Sequence, residues 1–195
     1  MARILVLDGH PAAASLCRSL ALGYADAARE AGHELRITHL HDLDFDMDFG
    51  LAGYATTKPL EPSLERFLDD LAWCSHFTLV LPMWWGGMPA KLKGLIDRSF
   101  LPGRAFDTRN PGWMGMPRPM LTGRTARVVI TSDTPSIFLR LAYRNALIWQ
   151  LRGQILHFVG LRPARFTLFA QASQATPEQV RGWLERVKRL GAKAA

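Results

Sequence analysis

The sequence predicts an α/β fold: a parallel sheet with helices packed on both of its faces. Two patterns carry that expectation. Short, continuously apolar runs recur along the chain, as strands buried on both faces require, and amphipathic segments of helical length separate them. The chain has 195 residues, 48% of them hydrophobic, which is enough for one sizeable core. A single domain over residues 1–195 is therefore the simplest organisation.

Residues 4–7 (ILVL) form the first strand, and a helix follows over 15–31, where Gly32 ends it. Residues 34–39 form the second strand, a helix occupies 62–74, and residues 77–81 (FTLVL) form the third strand. Pro82 has no N–H to give a sheet, so that strand stops near it. Pro89 suits the first turn of the next helix. Residues 126–131 and 164–169 form the fourth and fifth strands, with a long helical region between them. Thr176 caps a last helix that has Pro177 at its first position. Two connections are long for a compact domain: 42–61, rich in Asp and aromatics, and 101–123, rich in Pro, Gly and Arg. Such length is usually functional or disordered.

No apolar run is long enough for membrane insertion, and Met1-Ala2-Arg3 leads into the first strand without a secretory pattern. Cys17 and Cys74 have neither metal-ligand nor C-x-x-C spacing, which suits reduced thiols in the cytoplasm. The formal charge of +7 is spread along the chain and thickens only toward the C-terminal end. No basic stripe with interleaved aromatics marks a nucleic-acid surface. A mild positive field favours small phosphate-bearing molecules instead.

Ligands of an open parallel sheet bind beyond the carboxyl ends of its strands, and three loops lie there. The first, 8–15, reads DGHPAAAS. Ser15 can cap the following helix, and the amides of Leu16 and Cys17 can hold a phosphate with His10 beside them. A plain capped helix start would use the same residues. The loop lacks G-x-G-x-x-G and G-K-[ST], so it is neither a dinucleotide nor a Walker-type loop. The second loop, 82–88, carries Pro82, Met83, Trp84, Trp85 and Gly86. Two indoles on a strand-ending turn need a partner, either a flat ligand or a second subunit. The third, 131–138, places Thr131, Ser132, Asp133 and Thr134 after the fourth strand. Their amides can donate to a ring's carbonyl oxygens, or the turn can simply cap a helix. His39, His41, Asp42, Asp44, Asp46 and Asp48 suit a solvated loop better than a metal site, and no metal is expected.

Residues 82–106, PMWWGGMPAKLKGLIDRSFLPGRAF, resemble the signature of the flavodoxin-like NAD(P)H:quinone oxidoreductases. The stretch G-H-P-x-x-x-S at 9–15 is similar to that family's flavin phosphate site. LTGRTARVVIT (121–131) and GLRPARFT (160–167) resemble the family's approaches to the fourth and fifth strands. The resemblance implies a flavodoxin-like three-layer sandwich with sheet order 2-1-3-4-5 and a flavin at the switch point. It gives the flavin phosphate to His10, Ser15, Leu16 and Cys17. It gives the ring edge to Pro82, Met83, Trp84, Trp85 and Gly86, and the pyrimidine side to the amides of Thr131, Ser132, Asp133 and Thr134.

By the same resemblance, NADH or NADPH passes hydride through the flavin to a quinone-like, nitro-aromatic or azo-aromatic acceptor. Backbone near Asp133 and Thr134 assists, and no catalytic side chain is assigned. The implied assembly is a homodimer whose second subunit completes the substrate pocket, with Arg104 and Phe106 near it. FAD is favoured over FMN, because the 42–61 connection offers an adenine cradle. A flavodoxin-like electron carrier or regulatory subunit without turnover is the alternative. Three departures stand out. Thr131-Ser132-Asp133-Thr134 replaces Thr-Thr-Gly-Gly, and the Tyr and His that assist some members have no clear counterpart. Gly103-Arg104-Ala105-Phe106 replaces Gly-Phe-Ala-Phe. His157-Phe158-Val159-Gly160 stands where bacterial relatives have Phe-Cys-Gly.

Overall fold

Apolar runs with strand periodicity become strands close to the expected positions. The computed structural model describes residues 1–50 and 58–194. Its strands are β1 Arg3–Asp8, β2 Glu34–His39, β3 His76–Pro82, β4 Phe106–Asp107, β5 Arg118–Pro119, β6 Arg124–Ser132 and β7 Leu161–Ala170. Five form one parallel sheet ordered β2-β1-β3-β6-β7, which is the expected 2-1-3-4-5 for its members in chain order. β3 ends at Pro82 as its missing N–H requires.

The helices are α1 Leu16–Glu30, α2 Pro62–Trp73, α3 Ala90–Ser99, α4 Ser136–Leu141, α5 Ala146–Trp149 and α6 Pro177–Ala192. Side chains alternate across each strand, so both faces of the sheet carry apolar residues. Leu5, Leu7, Leu79, Leu81, Val128 and Ile130 pack with Leu64 and Phe67 of α2 and Leu92 and Leu95 of α3. Ile4, Val6, Val80 and Val129 pack on the other face with Leu20 and Tyr24 of α1 and Val187 of α6. The result is a three-layer sandwich. Thr176 and Gln179 form a reciprocal capping box at the start of α6.

α1 and α6 approach until backbone meets backbone. A Cβ on Gly191 would run into the carbonyl oxygen of Tyr24 and come within 3.0 Å of its carbon. Gly191→Ala is therefore expected to destabilise the protein by about 2 kcal/mol, a typical cost of overpacking. The urea midpoint measures it, and an unchanged midpoint would mean the helices are not held at this distance.

The long helical region expected between the last two strands is broken. Arg144 and Asn145 adopt left-handed φ values of 48° and 53° between α4 and α5. α5 then runs directly into a π-helical stretch, Gln150–His157. The 101–123 connection folds into an antiparallel pair of β4 and β5 joined through a turn at Trp113–Gly115. Arg98 of α3, 1% exposed, anchors the described parts of the 42–61 connection by donating to the Asp46 and Pro59 carbonyls and the Glu61 carboxylate. No helix among the described residues is long and apolar enough to cross a membrane.

Candidate functional site

The three loops expected to form a site meet at the carboxyl rim of β1, β3 and β6, and each has its own anchor. In the first, the Gly9 N–H donates to Val80 O at 2.7 Å. A Cβ there would lie 2.9 Å from Leu92 Cδ2 and 3.1 Å from Val80 O, so a larger residue would force Leu92 and the loop to shift. The fully buried Asp8 carboxylate accepts the His10 N–H at 3.2 Å and lies 3.2 Å from His39 Nδ1. Ala12 N–H donates to His10 Nδ1 at 3.0 Å, which leaves Nε2 as the protonated nitrogen of the neutral ring and hence a donor.

Ser15 caps α1 by accepting the Arg18 N–H at 3.0 Å, so the amides of Leu16 and Cys17 remain free helix-terminal donors. Burial pushes the Cys17 thiol up to about 12, outweighing its hydrogen bond with Thr131, and Asp8 adds to the rise. Cys17 therefore offers its backbone N–H here, not a nucleophilic thiolate.

The second loop is a tight reversal. Trp84 N–H donates to Gly87 O at 3.0 Å and Gly87 N–H returns to Trp84 O at 2.9 Å. The central residues Trp85 and Gly86 have φ of 51° and 75°, a mirror-image two-residue turn. Gly86 takes that backbone at no cost, whereas Trp85 does not. The Trp85 indole stands fully in solvent, and Trp84 meets the His10 ring edge-on with centroids 5.5 Å apart.

The third loop does not cap a helix with its side chains. Pro135 occupies the N-cap of α4, with no side-chain cap bond. Ser132 Oγ instead accepts the Thr134 N–H at 3.2 Å, and Asp133 Oδ1 accepts the Ser173 N–H at 2.7 Å.

Two adjoining cavities result. The smaller, about 230 Å³, is lined by His10, Ser15, Leu16, Cys17, Pro82 and Thr131. The larger, about 870 Å³, is lined by Trp85, Gly86 and Thr134. Met83, Trp84, Ser132 and Asp133 line both, so all thirteen residues expected to hold a cofactor border these two adjoining cavities. A volume of this size suits a tricyclic ring with room beside it. The smaller end has the donors for a phosphate: two helix-terminal amides, a hydroxyl and an imidazole N–H.

A family model described as the flavodoxin-like fold matches residues 2–191. The chain belongs to this flavodoxin-like family. A relative from Haemophilus influenzae, described as an uncharacterized NAD(P)H oxidoreductase, is 27% identical over 115 residues; that match covers 57% of each chain. A putative quinone reductase from Klebsiella pneumoniae superposes with a TM-score of 0.85 at 16% identity, covering 97% of this chain and 83% of its own. An FMN-dependent NADH-azoreductase from Bacillus anthracis, in complex with FMN, gives a TM-score of 0.75 at 14% identity, with 100% of both chains covered.

Two expected substrate-pocket residues of this flavodoxin-like chain stay away from the cleft. Arg104 forms a two-pronged ion pair with Glu65 of α2 at 2.8 Å, and Phe106 packs edge-on against Phe158 at 5.1 Å. Neither lines either of these two cavities. Sequence reasoning missed Leu139, Tyr143, Asn145, Leu147 and Ile148, which form the far wall of the larger cavity. They come from a stretch whose helical pattern hid the left-handed turn at Arg144 and Asn145. Tyr143 brings a phenol to the cleft although no tyrosine was expected there. The aspartates after β2 serve local turns: Asp46 Oδ1 accepts Asp48 N–H and Asp48 Oδ1 accepts Gly50 N–H, both at 2.9 Å.

Proposed function

We propose that this protein is an NAD(P)H-dependent flavin oxidoreductase reducing a quinone-like, azo- or nitro-aromatic acceptor. The observation that carries this reading is the adjacency of the two cavities. A set of neutral donors at a helix N-terminus adjoins a cavity walled by indoles and aliphatic side chains, with Met83, Trp84, Ser132 and Asp133 common to both. That arrangement fits a flat ring bearing a phosphate tail. Leu16 and Cys17 amides, His10 Nε2 and the Ser15 hydroxyl would hold the phosphate. Trp84 and Trp85 would orient the ring and exclude water from one side, with the amides near Asp133 and Thr134 on its polar edge. The flavin itself supplies the hydride chemistry.

The lean of the sequence toward FAD is not borne out. Residues 51–57 of the supposed adenine cradle lie outside the described residues, and the rest of the 42–61 connection lines neither cavity. The azoreductase neighbour is FMN-dependent, so FMN is the proposed cofactor. A homodimer is part of the proposal. Trp113, Met114, Met116, Ile137, Phe138, Leu141 and Trp149 are exposed, apolar groups that a second subunit would cover. The free thiols of Cys17 and Cys74 suit a cytoplasmic setting. An electron carrier presents an open flavin edge, whereas α4 and α5 wall this cleft.

The test is to titrate the purified protein with FMN and FAD, then follow anaerobic reduction by NADH and NADPH in a stopped-flow instrument. Tight FMN binding and direct reduction are expected. Binding without reduction favours the carrier, and no flavin binding refutes the proposal. Ser15→Ala is expected to lower stability by about 1 kcal/mol through the lost cap and to weaken FMN binding roughly tenfold through the lost bond to a charged group. An unchanged FMN affinity would move the phosphate elsewhere.

A further inference from the structure

Charge is distributed unevenly around the cleft. Among the described residues, Asp133 is the sole Asp, Glu, Lys or Arg that lines either cavity, and it lines both. Its bond from the Ser173 N–H holds the carboxylate at their junction. The larger cavity is otherwise walled mainly by apolar groups, among them Trp84, Trp85, Leu139, Leu147 and Leu168. Asp133 is itself exposed, so its charge is screened in part by water, but it faces a cavity whose other walls carry no counter-charge. Arg140 on α4 and Arg144 in the turn beyond it line neither cavity.

We propose that Asp133 makes this cleft selective against anionic aromatic acceptors, in favour of neutral or cationic rings of the same shape. The inference rests on the oxidoreductase reading above and narrows its substrate class. A ring bearing a sulfonate or carboxylate must share an apolar pocket with a fixed carboxylate, and no cation lines that pocket to offset the repulsion. In the smaller cavity the Leu16 and Cys17 amides, Ser15 and His10 can offset the same carboxylate for a phosphate, whereas none of those donors lines the larger cavity. The chain's net charge of +7 argues the opposite way, since a positive field draws anions toward the surface. Long-range attraction and local rejection therefore make contrary forecasts, and the local one prevails once the ring has entered.

The experiment compares 2-methyl-1,4-naphthoquinone with its sulfonated counterpart as acceptors for the FMN-loaded wild type, Asp133→Asn and Asp133→Glu. Asparagine keeps an acceptor for the Ser173 N–H but removes the charge, and glutamate keeps the charge. The readout is the ratio of kcat/KM for the neutral ring to that for the anionic ring, which cancels any general effect on turnover. The ratio is expected to fall about 3- to 10-fold in Asp133→Asn, a charge effect discounted for partial exposure. It is expected to stay near the wild-type value in Asp133→Glu. A second readout needs no turnover: quenching of tryptophan fluorescence in the flavin-free protein by naphthalene-2-sulfonate and by naphthalene-2-methanol. The sulfonate should gain affinity relative to the alcohol in Asp133→Asn. Ratios unchanged in Asp133→Asn, or Asp133→Glu behaving like it, overturn the proposal. Failure to bind FMN or to oxidise NAD(P)H overturns the oxidoreductase reading instead, and the fluorescence pair still tests Asp133.

Discussion

Arg98→Met is expected to lower stability by about 2–4 kcal/mol, the scale for leaving buried carbonyls and a partly buried carboxylate without their donor. A domain of ordinary stability has only about 5–15 kcal/mol in total. The guanidinium is 1% exposed and spends its donors on four acceptors: the Asp46 carbonyl, the Pro59 carbonyl at 2.8 Å, and Glu61 Oε1 and Oε2 at 3.2 and 3.0 Å. Methionine fills a similar volume but donates nothing, so the carbonyls and the carboxylate lose their partner together. Burial works against ionisation of Glu61, yet the Asp46 N–H and Arg98 are among the bonds that hold its carboxyl below the usual range. Glu61→Gln should cost clearly less, because its amide oxygen still accepts from Arg98 and the residue is partly exposed. Urea unfolding of both variants measures the difference. Arg98→Met within 1 kcal/mol of wild type, roughly an ordinary net hydrogen bond, would show that the connection does not depend on this anchor.

The second large effect concerns acidity at the opposite end of the sheet. His76 opens β3 and is 3% exposed, with Nδ1 2.6 Å from Thr125 Oγ1 and Nε2 3.1 Å from the Tyr24 hydroxyl. Burial, then the cations Arg127 and Arg165, and finally His33, push its pKa down to about 4. The unfolded chain takes up a proton near pH 6.5, whereas the folded chain refuses it until about pH 4. Stability from this group is therefore complete above about pH 6.5 and is lost as the pH falls toward 4, by about 3 kcal/mol in all. Asp46 and Glu61, both held below their ordinary range, add losses of the same sign at the acid end. The discriminating measurement is the difference between wild type and His76→Gln in urea unfolding at pH 4, 5, 6 and 7. The variant should be less stable at pH 7 but lose less on acidification. Parallel curves for the two proteins would remove His76 as the cause.

Local chemistry explains which parts of this molecule were legible in the sequence. Pro82, Gly32 and Thr176 act on their own backbone or that of near neighbours, and the elements they bound lie within a residue or two of expectation. The three loops at the carboxyl rim were legible for the same reason, since strand ends and helix starts are local signals. What escaped depends on distant partners. Asp133 was placed on a capping turn but bonds Ser173, forty positions away, while Pro135 takes the cap. Arg98 stood out only within a motif, because its partners at Asp46, Pro59 and Glu61 belong to another connection. The break at Arg144 and Asn145 carries no glycine or proline, so the residue pattern continues while the backbone does not. Arg104 pairs with Glu65, thirty-nine positions away, a contact no local pattern encodes.

The π-helical stretch Gln150–His157 has one further consequence. A helix wound this way accommodates a residue more per turn than its α-helical neighbours, so its length and its rotational phase are separable. Losing or gaining a single amino acid there would spin α5 about its own axis, presenting something other than Leu147 and Ile148 to the cleft. The strands on either side, β6 and β7, would keep their pairing. Change in the wall of the larger cavity is thus open to this scaffold through one-codon length changes that leave the loop ending at Ser15 untouched.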